Sequence, residues 1–137
     1  MRLKARQKEV CDVVDLLNNS HRDILYRTLQ VYSLRNEVIQ NNIANVDTPD
    51  FKRSEVSFEG ALTDALRRNR GSKNLDVNKV NPSVSVVEQN FTMRFDGNNV
   101  DIDAENLRLY LNSVRTDAIA NSVQANNKIR EMAVMGR

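Results

Sequence analysis

Hydrophobic positions in the first third of the chain recur with helical spacing. Leu25, Leu29, Tyr32, Ile39, Ile43 and Val46 follow a 4-3 repeat, and Asn36 occupies the missing place. This is a heptad seam with one polar interruption, a device that sets register at a cost in stability. A second stripe runs beside it through Val10, Val14, Leu17, Ile24, Val31 and Val38. Together they form a face broad enough for more than one partner. No Gly or Pro occurs before Pro49. Asn18, Asn19, Ser20 and Asp23 interrupt the pattern, so it predicts one helix over 3–17 and a longer one over 21–46, with Ser20 as N-cap. Twenty-six helical residues span roughly 39 Å.

The pattern then changes. Asp47, Thr48 and Pro49 stop the helix, because the residue before a proline avoids the helical region. Phe51, Val56 and Phe58 alternate with polar neighbours and predict extended chain. Ala61, Leu62, Ala65 and Leu66 predict a short helix over 59–68. Residues 67–83 are polar and basic and read as a loop. Val84, Val86 and Val87, then Phe91, Met93 and Phe95, suggest two short strands, with a turn at Asp96-Gly97 and a return strand through Val100 and Ile102. From Asp103, the expected N-cap, helical spacing resumes through Leu107, Leu111, Val114, Ala118, Asn121, Ala125, Ile129 and Met132. The expected fold is mainly α. Long N- and C-terminal helices pair as a coiled coil around a small β-containing insert. The expected segments are 1–47, 48–103 with its loop near 67–83, and 104–137, the two ends forming one discontinuous domain.

Composition agrees and narrows the chemistry. The 137 residues fit one domain and include four Gly and two Pro, about 4% against a usual level of roughly 12%. Asn occurs 18 times, which suits helices packed through partly polar seams. A net charge of +2 is too weak to argue nucleic-acid binding. No apolar run reaches membrane-spanning length, and the basic start lacks the apolar core of a secretory signal. One cysteine, Cys11, and one histidine, His21, leave no disulfide, no metal site and no catalytic dyad, so neither cofactor nor enzymatic reaction is expected. Cys11 reads as a small buried hydrophobe and His21 as a surface or capping residue. Arg67, Arg68, Arg70 and Lys73 have no interleaved aromatic and read as solvated. So do Arg2, Lys4, Arg6 and Lys8. Asp96, Asp101, Asp103 and Glu105 lack calcium-loop spacing and read as turn and cap residues. Met132 and Met135 read as seam packing.

The most specific stretch is LRNEVIQNNIANVDTPDFKR, residues 34–53. Asn42 and Asn45 lie where Asn satisfies the last helical carbonyls, and Asp47 and Thr48 can close a turn onto the backbone. The string resembles the N-terminal signature of bacterial flagellar rod and hook proteins, where a helix ends in Asn-Ile-Ala-Asn, then Thr-Pro-Gly and an aromatic. Asn42, Ile43, Ala44, Asn45, Thr48, Pro49 and Phe51 match it, and Asp50 stands where Gly is usual. The length is that of the short proximal-rod members. In DGNNVDIDAEN, residues 96–106, seven positions match a stretch common before the last helix of one such type: Asp96, Gly97, Asn98, Val100, Asp101, Asp103 and Glu105. Asn106 departs where Met is frequent, and residues 1–19 exceed the usual start.

The resemblance implies a structural subunit of a periplasmic tube that transmits torque and is exported by the flagellar type III apparatus. The implied partners are copies of itself, the rod proteins FlgC, FlgF and FlgG, the adaptor FliE, and the export gate and MS ring. No nucleic acid and no membrane span are implied. The assembly residues expected on this reading are Leu29, Tyr32, Asn36, Ile39, Ile43, Val46, Leu107, Leu111, Val114, Ala118, Asn121 and Ala125. The alternatives are the FlgC type of short rod protein and, in another class, a basic coiled-coil regulator that binds nucleic acid.

Overall fold

The computed structural model describes residues 19–68, 77–88 and 95–135. The helix expected over 3–17, Cys11, Arg70, Lys73, Phe91 and Met93 lie outside them. The elements in chain order are α1 (Asn19–Ala44), β1 (Ser54–Ser57), α2 (Glu59–Arg68), a 3-10 turn (Val77–Lys79), β2 (Ser83–Val86) and α3 (Ile102–Met135).

α1 and α3 are the long elements, with 26 and 34 residues. They pack against each other in opposite directions. Near the end of α1, Asn42 donates to Glu105 in the first turn of α3, and further back Asn112 donates through Nδ2 to the Tyr32 carbonyl at 2.9 Å. Ser20 lies inside α1, and the helix closes at Ala44, so Val46 falls in the following turn rather than on a helical seam. The last turn tightens: Asn45 N–H reaches both the Asn41 and Asn42 carbonyls at 3.2 Å, and Val46 N–H reaches Ile43.

The insert folds back onto α1. β1 and β2 pair antiparallel with Ser54 opposite Val86 and Ser57 opposite Ser83. A small core forms where Val31 of α1 meets Val56, Phe58 and Val80, with Leu34, Val38, Leu62 and Ala65 packed around it. Of the apolar face expected on α2, only Leu62 and Ala65 join this core, and Ala61 and Leu66 are exposed. The two stripes of α1 are thus divided. One, through Val31 and Val38, holds the insert, while buried Leu25 and Ile39 belong to the other.

Three expectations are corrected. Of the segment read as a loop over 67–83, the described part, 67–68 and 77–83, is ordered: 67–68 end α2, Ser83 opens β2, Val77 and Val80 are buried, and Arg27 of α1 bonds the Val80 carbonyl and the Asn81 side chain. Val100 and Ile102 form no return strand, because Val100 is buried beside the turn and Ile102 opens α3. The N-cap of α3 is Asp101, not Asp103. Asp101 Oδ1 accepts from the N–H groups of Asp103 and Ala104 at 3.0 and 3.2 Å, while Asp103 and Glu105 place negative charge in the first turn.

Candidate functional site

Two features stand out: a polar junction where the insert leaves and rejoins the helix pair, and a bare stripe on α3.

The junction is built from both sequence signatures. Asn42, 1% exposed, treats β1 as a neighbouring strand would. Its Oδ1 accepts from Ser54 N–H and its Nδ2 donates to the Ser54 carbonyl, both at 2.9 Å. Asn98, equally buried, closes the end of α1 from across the chain. Its Nδ2 lies within 3.0 Å of the Asn45, Val46 and Thr48 carbonyls, and its Oδ1 accepts from Val100 N–H at 2.7 Å. Asn99 ties Arg53 N–H to the Val87 carbonyl, both at 2.7 Å. Asn45 bonds the Asn41 carbonyl and receives Thr48 Oγ1, so it acts locally on its own helix end. A carboxylate sits at the centre: Glu105 is 0% exposed, bonded by Arg108 and Asn42, with Arg53 at 3.8 Å. A buried charge of this kind persists because cations and donors surround it.

Asp50, at the usual Gly position, has φ of 59°. The left-handed conformation is therefore kept, at the strain Asp bears better than most residues. Its N–H donates to the Asp96 carbonyl at 2.9 Å. Gly97 faces it with φ of 75°, and a Cβ at Gly97 would run into Asp50 Oδ1. Lys52 bonds the Gly97 carbonyl. Asp96, Asp101 and Glu105 thus hold a turn, a cap and an ion-pair centre. Pro49 and Phe51 sit in the turn itself, and Ala44 is the last helical residue. A further contact secures α2. Arg35 pairs with Glu59 at 2.9 Å, and this bond holds the Glu59 carboxyl below its usual range.

The stripe is the larger surprise. The expected seam of α3 does not face α1. Leu107, Leu111, Val114, Ala118, Asn121 and Ala125 are all exposed, as are Ile129, Met132 and Met135. The side turned inward is a different heptad, Glu105, Leu109, Asn112, Thr116, Ile119, Val123 and Asn126, which is half polar. On α1 the expected seam is covered to varying degrees: Ile39 is buried and Leu29, Tyr32, Asn36 and Ile43 are half-buried. So α3 turns its more apolar side to solvent, where Leu107 is 58% and Val114 49% exposed. The exposed stripe is apolar except at Asn121, and exposed apolar patches are candidate interaction surfaces.

Sequence reasoning did not single out Arg53, Asn99 or Asn112. The visible signal was an excess of Asn beside turns, which names the residue type but not its partner some fifty residues away. His21 is exposed, and Arg67 and Arg68 close α2, where positive charge suits a helix C-terminus. No helix among the described residues is long and apolar enough to cross a membrane.

No protein-family model matches the chain. Curated relatives do. It is 41% identical over 118 residues to the flagellar basal body rod protein FlgB of Borreliella burgdorferi, covering 75% of this chain and 86% of that one. It is 43% identical over 107 residues to FlgB of Borrelia hermsii, covering 67% and 78%. It is 33% identical over 100 residues to FlgB of Bacillus subtilis, covering 69% and 78%. With both signatures meeting at one junction and relatives of this identity and coverage, the chain belongs to the FlgB family of flagellar basal body rod proteins.

Proposed function

We propose that this chain is an axial building block of the proximal rod, joining its neighbours through the outward stripe of α3. The carrying observation is the inversion of α3, whose half-polar heptad faces α1 and whose apolar heptad, Leu107, Leu111, Val114, Ala118, Ile129 and Met132, faces out. Burying apolar side chains that folding leaves wet is a sufficient drive for association. Asn121 and Ala125 continue that stripe, and the half-buried Leu29, Tyr32, Asn36 and Ile43 of α1 are further assembly residues on this reading, while Ile39 is buried within the chain. The terminal segments 1–47 and 104–137 act as one discontinuous unit, and the insert 48–103 is braced on it by the Asn42–Glu105–Asn98 junction.

The work is binding and torque transmission, with no reaction. The neighbours on this reading are copies of the chain, the rod proteins FlgC, FlgF and FlgG, the adaptor FliE, and the export gate and MS ring. Delivery is by the flagellar type III apparatus.

Mass spectrometry of purified hook–basal bodies from the source organism tests this. Finding the chain there beside other rod proteins supports it. Its absence from intact basal bodies overturns it.

A further inference from the structure

The bare stripe of α3 opens at Leu111 into a groove of about 460 Å³, floored by Val38 and Ile39 of α1 and walled by the paired strands β1 and β2 on one side and α3 on the other. Arg35, Arg53, Arg108 and Arg115 line it, against Glu55, Glu59 and Glu105. Every one of these carboxylates is met within the chain. Glu59 lies 2.9 Å from Arg35, Glu55 lies 3.3 Å from Arg53, and Glu105 is held by Arg108 with Arg53 at 3.8 Å. Arg115 is exposed and has no carboxylate partner among the described residues. The groove therefore keeps one uncompensated cation beside apolar Val38, Ile39 and Leu111.

We propose that this groove receives a second copy of the chain and that Arg115 takes a carboxylate from it. The inference rests on the reading of the α3 stripe as an assembly surface. Continuity argues for the occupant, because a neighbour covering Leu107 and Val114 also roofs the groove through Leu111, which belongs to both. Charge argues for it as well. The chain displays exposed Glu37, Asp103 and Asp117 with no ion-pair partner among the described residues, so a copy brings the needed acid. A polyanion fits worse, since it meets the three groove carboxylates as well as the arginines. Roofing the groove strips water from Arg115, and a desolvated cation left unpaired opposes docking. Only an approach that delivers the carboxylate is favoured, so Arg115 selects the register in which apolar stripes, loose by themselves, come together.

The test uses the full chain in assembling flagella. A photo-crosslinking residue replaces Ser85, which is exposed on the groove wall, and in a parallel strain Ile129, far along the stripe. Irradiation with the probe at 85 is expected to give a band of twice the chain mass containing only this chain. Adding Arg115→Glu is expected to lower that band about tenfold, while Arg115→Lys retains most of it. A crosslink from position 85 to a different protein overturns the occupant. Equal yields for the Glu and Lys variants overturn the carboxylate. Crosslinks from 129 with none from 85 overturn the groove and leave the stripe reading standing, and none from either position overturns both.

Discussion

A single amide, that of Asn98, replaces the turn of helix that α1 no longer has. Its Nδ2 serves three carbonyls of the turn that follows α1 and its Oδ1 holds Val100 N–H. Asn98→Ala removes these partners in a buried place, and a loss of about 2–4 kcal/mol in urea unfolding is expected. Asn98→Asp has nearly the same shape but aims acceptors at acceptors, and it is expected to destabilise at least as much as Ala. If Asp were tolerated, shape rather than donation would explain the site. Gly97 and Asp50 form a coupled pair, both with positive φ and with no room between them for a Cβ on Gly97. Gly97→Ala is expected to cost about 1–3 kcal/mol, through strain and collision together. In an Asp50→Gly background the collision is gone, so the same substitution is expected to cost measurably less, a non-additivity a double-mutant cycle reads directly. These turns were legible as turns, since Thr-Pro, Asp-Gly and clustered Asn announce local chemistry. That the two signatures bond each other was not, because pairing across about fifty residues leaves no local trace.

At the scale of elements, α3 explains both what was readable and what misled. Its existence followed from 34 residues without a breaker. Its orientation did not, because two interleaved heptads run along it and hydrophobicity selects the wrong one for packing inside the chain. Here the more apolar face stays exposed in the lone chain. The two-residue error in the cap has a similar cause: Asp101 and Asp103 both suit an N-cap, and the sequence does not say at which of them the helix starts, whereas in the fold Asp101 takes the Asp103 and Ala104 N–H groups. The inward seam carries Asn112, whose Oδ1 is buried without a donor while its Nδ2 bonds a carbonyl inside α1. Asn112→Leu is therefore expected to be neutral or to raise the melting temperature, at the expense of register between α1 and α3. A large loss of stability would mean the amide is better satisfied than it looks. The docking of α2 carries a pH signature. Arg35 lowers the Glu59 carboxyl in the folded state, so this contact stabilises above the unfolded carboxyl's range and fades as pH falls through the lowered value. The carboxylate is 60% exposed, which keeps the effect small. Glu59→Gln is expected to reduce stability slightly at neutral pH and to match the parent chain in acid.

On the assembly reading proposed above, the molecule divides its apolar surface between folding and assembly, and substitutions on the two faces of α3 should separate the two. Val114 is 49% exposed on the outward stripe, whereas Val123 is 8% exposed against α1. An aspartate at 114 stays in water in the lone chain, so Val114→Asp is expected to change unfolding free energy by no more than about 0.5 kcal/mol. In the rod the same charge would be shut into an apolar contact with no cation opposite, a penalty large enough to stop incorporation. Val123→Asp reverses the order, burying the charge during folding itself, and a loss of about 3 kcal/mol or more is expected before assembly is ever attempted. Circular dichroism melts of both variants, with counts of rods and swimming cells, read the two effects apart. A stable Val114→Asp chain that still builds rods would place the assembly contacts elsewhere, on the insert or on the residues preceding α1. A stable chain that is exported but leaves cells without rods would locate subunit recognition on the side of α3 that folding leaves exposed. The polar inner seam then has a reason: a helix pair held by Glu105 and Asn112 needs less apolar surface for itself and leaves more for its neighbours.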